Sequence, residues 1–160
     1  MLSRAGSETE VRGSMLLGFK KRFEAKILAK EKRHTIRDRR KGKRQIRVGD
    51  RLDCYVNPRQ KSMRLLGRWP CTKVQDIEIH WHPGFWIVVD GEKLSRSENE
   101  QLARADGFRN FVAMLRFWEK RLPFSGVIIH WDPDRPQDPP RTSQNRAKLK
   151  LPAKIKGPKS

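Results

Sequence analysis

Long apolar runs are missing from this 160-residue sequence, cysteine occurs only twice, and acidic residues are outnumbered by basic ones, 18 to 37. No stretch approaches the roughly 20 consecutive apolar residues of a membrane span, and the opening MLSRAGSETEVRGS has no apolar segment of the secretory-signal kind. A cytoplasmic protein without membrane contact is therefore expected. Cys54 and Cys71 lack CxxC spacing, which suits two thiols in a reducing compartment, both on strands, and argues against structural zinc. His80 and His82 would share one face of a strand, but Pro83 interrupts it and neither His130 nor any other residue offers a third ligand at recognisable spacing. No metal and no cofactor are expected. Internal repeats and heptads are also missing, so solenoid and coiled-coil architectures drop out.

What the sequence has is positive charge. The formal net charge of +19 attracts polyanions, and the partner it points to is a nucleic acid or a nucleotide, with an acidic protein or an anionic membrane as the alternatives. Much of the charge is concentrated. Lys32, Arg33, Arg37, Arg39, Arg40, Lys41, Lys43, Arg44 and Arg47 are opposed by only Asp38 and Asp50, and repulsion should keep the middle of that loop extended and solvated. A second basic run follows Pro140, where Arg141, Arg146, Lys148, Lys150, Lys154, Lys156 and Lys159 meet no acid.

The pattern predicts a flexible leader over residues 1–14, one domain over 15–132, and a disordered basic tail over 133–160. The domain reads as α+β. Leu16, Phe19, Phe23 and Ile27 recur at spacings of three and four and predict an amphipathic helix ending near Lys30. Strands are predicted for RLDCYVN, MRLLGRW, CTKVQDIEIHW and FWIVVDG, forming a meander. Ser95 and Glu98 form a capping box that opens a helix, interrupted at Asp106-Gly107. A second helix carries Phe108, Phe111, Val112, Leu115 and Trp118, and GVIIHW closes the domain as a strand.

Within this order lies Lys32-x-x-Thr35-x-Arg37, set between a predicted helix ending Ile27-Leu28-Ala29 and a Val48-Gly49-Asp50 turn. It resembles the signature of the ASCH domain family, which shares a barrel with the PUA RNA-binding modules. Gly91-x-x-Leu94-Ser95, Leu102-Ala103-x-x-Asp106-Gly107-Phe108 and Phe124-x-Gly126-Val127-Ile128-Ile129-His130-Trp131 extend the resemblance over residues 16–131, particularly to phage-encoded members. The resemblance implies a small PUA-like β-barrel with an N-terminal helix and a helix pair before the last strand. It also implies an RNA- or nucleotide-binding module with a basic cleft. One departure is specific: the family pattern has glycine two places before its lysine, where this chain has Lys30.

One branch of the family resembles an amidohydrolase that removes the acetyl group from N4-acetylcytidine, using a lysine, a threonine and a glutamate. Carried over, these fall on Lys32, Thr35 and Glu92. The chemistry is coherent, because a threonine hydroxyl needs a base to become a nucleophile and a desolvated, cation-crowded lysine can supply one. The alternative for the same residues is binding without chemistry. Ligand contact is then expected from Lys32, Arg33, Thr35, Arg37, Arg39, Arg40, Lys43 and Arg44, with Trp81 and Trp86 bracketing a turn as stacking platforms. A third alternative is a phage-encoded protein that binds a host protein. The chain is expected to be a monomer.

Overall fold

The computed structural model describes residues 13–137. Most of the predicted leader and of the tail lies outside these residues. The strands are β1 (Ser14–Phe19), β2 (His34–Arg37), β3 (Arg51–Val56), β4 (Arg64–His80), β5 (Trp86–Val89), β6 (Glu92–Lys93) and β7 (Phe124–Trp131). The helices are α1 (Glu24–Leu28), α2 (Arg96–Ala105) and α3 (Phe111–Trp118), with single 3-10 turns at Lys21–Phe23 and Glu119–Arg121. The mixed α+β class agrees with the sequence, as do the helix pair and the strand that closes the domain. None of these helices is long and apolar enough to cross a membrane.

The amphipathic N-terminal helix is corrected. Residues 14–19 form a strand that pairs in parallel with β3, and only five residues of α-helix follow, from Glu24 to Leu28. The run Met15-Leu-Leu-Gly-Phe19 satisfies both a period of three to four and a period of two. Burial decides between them, because Met15, Leu17 and Phe19 are inside while Leu16 is exposed.

The two predicted segments MRLLGRW and CTKVQDIEIHW are one strand running through Pro70. The first half of β4 pairs with β3, where Arg51 faces Pro70, and the second half pairs with β7 and β5, beginning at Cys71 opposite Trp131. Pro70 has no N–H for a ladder and stands where β4 changes partners, next to a register shift between Cys71 and Lys73. The sheet therefore bends about β4. One arm is β4-β3-β1 and the other β4-β7-β2, with β5 and β6 on the remaining edge of the second half.

The expected closed barrel is corrected as well, because no ladder joins β1 to β2 and the sheet stays open between them. Between the arms the Arg37 guanidinium donates to the Gly18 carbonyl, Arg40 reaches Met15, and Phe19 meets Trp131 edge-on. Inside the bend Met15, Leu17, Leu52, Cys54, Ile129 and Trp131 share one core cluster. On the other side of β7, Ile36, Ile77, Ile79 and Ile128 pack against Phe108, Met114 and Trp118 of the helical layer. Phe23 packs against both clusters. Val112, expected on the apolar face of the second helix, is exposed, and Met114 occupies the core instead.

Candidate functional site

The motif residues sit where the sheet is open. Lys30 leaves α1 with φ 65°, so the residue that replaces glycine adopts the left-handed conformation all the same. That exit sends Lys32 inward. Its side chain is fully buried, and its ammonium donates to the carbonyl of His34 (2.9 Å), to the carbonyl of Asp106 and to the Asp106 carboxylate (2.9 Å). Nζ also lies 4.9 Å from the centre of the Phe23 ring.

Asp106 is placed by local sequence. It caps the end of α2, after which Gly107 at φ 103° turns the chain. Phe108 N–H donates to Ala103 and Gly107 N–H to Arg104, the paired bonds of a Schellman motif. A Cβ on Gly107 would stand 2.9 Å from the Phe23 ring and 3.1 Å from Lys32 Cδ, so only glycine fits here without displacing the site. The corner expected at Asp106-Gly107-Phe108 is present, and it also delivers a carboxylate that the sequence reading did not assign.

Burial dominates the electrostatics of this group. It pushes the Lys32 ammonium below its ordinary pKa, against the pull of the Asp106 charge, and pushes the Asp106 carboxyl up, against the pull of Lys32. His34 is driven down to about 3 by burial, with Lys32 and His130 adding repulsion, so its imidazole is neutral. Its Nε2 lies 3.4 Å from Asp106 Oδ1 and makes no hydrogen bond.

Thr35 and Arg37 project from β2 on the same side, as alternate residues of a strand do. The Arg37 Nε donates to Thr35 Oγ1 at 3.1 Å, and its guanidinium lies 4.9 Å from the Phe19 ring centre. Lys32, Thr35, Arg37 and Asp106 all line a cleft of about 200 Å³. Its aromatic walls are Phe19, Phe23, Phe108, Phe117 and Trp118, and Gly18, Ile36, Lys20 and Arg121 also line it. The volume is below the roughly 300–1,000 Å³ of pockets that enclose drug-sized ligands, which suits a planar fragment such as one base.

Glu92 is not brought to this place. It is exposed on β6, and the path from β2 through β7, β4 and β5 is four strand steps, about 19 Å at roughly 4.8 Å each. The carry-over of a glutamate onto position 92 therefore does not assemble with Lys32 and Thr35. Trp81 and Trp86 also stand at the far hairpin. Trp86 is already stacked on His80, with centroids 4.1 Å apart, and its indole N–H donates to the His82 carbonyl. Trp81 is more than half exposed and meets Phe85 edge-on.

The basic loop is less free than its composition suggests. Arg44 forms two bonds to the buried carboxylate of Asp50 (3.1 and 3.0 Å), Arg39 pairs with Asp76, and Arg33 lies 3.7 Å from Asp134. Arg40 packs against Met15, while Lys41 to Lys43 are solvated as expected. Both cysteines are buried free thiols on strands, raised by burial to about 12 for Cys54 and about 11 for Cys71. Among the described residues no group of three His, Cys, Asp or Glu side chains is gathered for a metal. Comparison with protein families, with curated proteins and with solved structures finds no match.

Proposed function

We propose that the chain is an ASCH-type module that binds RNA or a nucleotide in the cytoplasm and seats one base in the cleft between β1 and β2. The observation that carries this reading is the convergence of Lys32, Thr35 and Arg37 on a cleft walled by aromatic rings and edged by Lys20 and Arg121. Aromatic faces hold a base by stacking, and the edge cations meet the phosphate. With Arg37 donating to its oxygen, the Thr35 hydroxyl has its proton free to bond an acceptor on the base edge. A titration of a labelled single-stranded RNA by fluorescence anisotropy tests it. The log of the affinity should fall with log salt by about 0.7 for each phosphate held, and Lys20→Ala/Arg121→Ala should weaken binding. An affinity independent of salt, or no binding at all, overturns the reading.

Hydrolysis of a modified nucleoside such as N4-acetylcytidine is the second reading, and the depressed ammonium of Lys32 in the cleft with Thr35 is what favours it. Against it, Lys32 directs its bonds to His34 and Asp106, and none to Thr35. Turnover of N4-acetylcytidine by the wild type that disappears in Thr35→Ala would reverse the order of the two.

A further inference from the structure

The cleft has a neighbour. On the other side of Phe23, Phe108 and Phe117 lies an open groove of about 410 Å³, and these three rings line both. They form a ridge. Phe23 meets Phe108 edge-on at 5.9 Å, and Phe108 meets Phe117 at 5.4 Å. Arg22 covers the ridge, its guanidinium 4.8 Å from the centre of Phe23, 5.4 Å from Phe108 and 5.3 Å from Phe117. Arg109 and Arg116 complete the cationic side of the groove.

All three arginines are exposed, and among the described residues none is paired with a carboxylate. That distinguishes them from Arg33, Arg39 and Arg44 of the basic loop, each of which has an acidic partner. An unpaired arginine can take a phosphate without first giving up another anion. Phe23 and Phe117 are half-buried and reach both openings, Phe108 is buried between them, and the Arg22 guanidinium over the ridge offers a plane on which a base can stack, the arrangement that single-strand binders use.

We propose that this second groove receives the nucleotide adjoining the one in the cleft, so that the ligand is a single-stranded oligonucleotide crossing the Phe23–Phe108–Phe117 ridge, with its phosphates on Arg22, Arg109 and Arg116. The inference rests on the cleft reading above and specifies its ligand as a polymer, neither a free nucleoside nor a duplex. Paired bases in a duplex are stacked on each other and cannot spread over two openings.

The test compares uridine monophosphate, tetrauridylate and an RNA duplex on the full chain, by calorimetry and anisotropy across a salt series. The tetranucleotide should bind far more tightly than the mononucleotide. In Arg109→Ala/Arg116→Ala that advantage should shrink by roughly tenfold, and the salt slope should fall by about 1.4, two contacts at about 0.7 each. Arg33→Ala/Arg39→Ala removes the same charge from ion-paired positions and should change both quantities much less. Both variants alter exposed side chains, and thermal melting checks that each is folded. Equal losses in the two variants overturn the inference, as does a duplex that binds as well as the single strand. If uridine monophosphate binds in the cleft and tetrauridylate gains nothing over it, the second groove fails while the cleft stands. If neither binds, both readings fall together.

Discussion

Lys32 and Asp106 are 74 residues apart in sequence and make one buried ion pair. Such a pair contributes little net stability over apolar residues of the same shape, but removing one partner leaves a charge in a place that cannot solvate it. Asp106→Asn should accordingly cost about 3–5 kcal/mol, read as a lower melting temperature and a lower urea midpoint. A loss below about 1 kcal/mol would mean that water reaches the ammonium. The lysine and threonine of this site are legible in the sequence because they sit three residues apart in a motif. The carboxylate is not, since an aspartate before glycine at a helix end reads as a corner and nothing local reports which way its side chain faces. Glu92, the carboxylate expected there, lies on β6 away from Lys32 and Thr35 for a related reason: sequence proximity to a motif segment says nothing about how many strands intervene.

β1 shows how an element can be misread when its residues satisfy two periods at once. Its apolar residues fit one face of a helix if Leu16, Phe19 and Phe23 are counted, and one face of a strand if Met15, Leu17 and Phe19 are counted. What selects the strand is β3, whose free edge offers parallel partners from Arg51 to Val56, a long-range fact invisible in a local window. The two readings differ in a measurable way. Leu17→Ala should cost about 2–4 kcal/mol because the side chain is buried, whereas Leu16→Ala should stay within about 0.5 kcal/mol. Chemical denaturation of the two variants would show the reverse order if the segment were helical about the Leu16 face. The capping box at Ser95 and Glu98 was legible because both of its bonds are local, and the structure makes both.

At the scale of the molecule, the predicted boundary at residue 132 falls short of the contacts the chain makes. Asp134 pairs with Lys30 at 2.9 Å, beside the left-handed exit that aims Lys32, and the Gln137 N–H donates to the Arg68 carbonyl at 2.6 Å. A chain ending at Gln137 should melt cooperatively near the full-length temperature. One ending at Pro133 should lose about 1–2 kcal/mol, the sum of an exposed ion pair and a backbone hydrogen bond. Calorimetry on the two truncations separates these outcomes, and identical melting would show that residues 134–137 contribute nothing.

The open seam between β1 and β2 has a mechanical consequence. A six-residue ladder parts cooperatively, one bond after another, whereas this seam is held by separate contacts: the charge-assisted bond from Arg37 to the Gly18 carbonyl, with a net contribution of about 1.5–3 kcal/mol, Arg40 against Met15, and Phe19 edge-on to Trp131. Arg37 also forms part of the cleft wall, so a group that competed for its guanidinium would remove one of these contacts and leave the others. The mouth of the cleft can therefore give at Arg37 without the arms parting, because Met15, Leu17, Ile129 and Trp131 stay packed in the core that the two arms share.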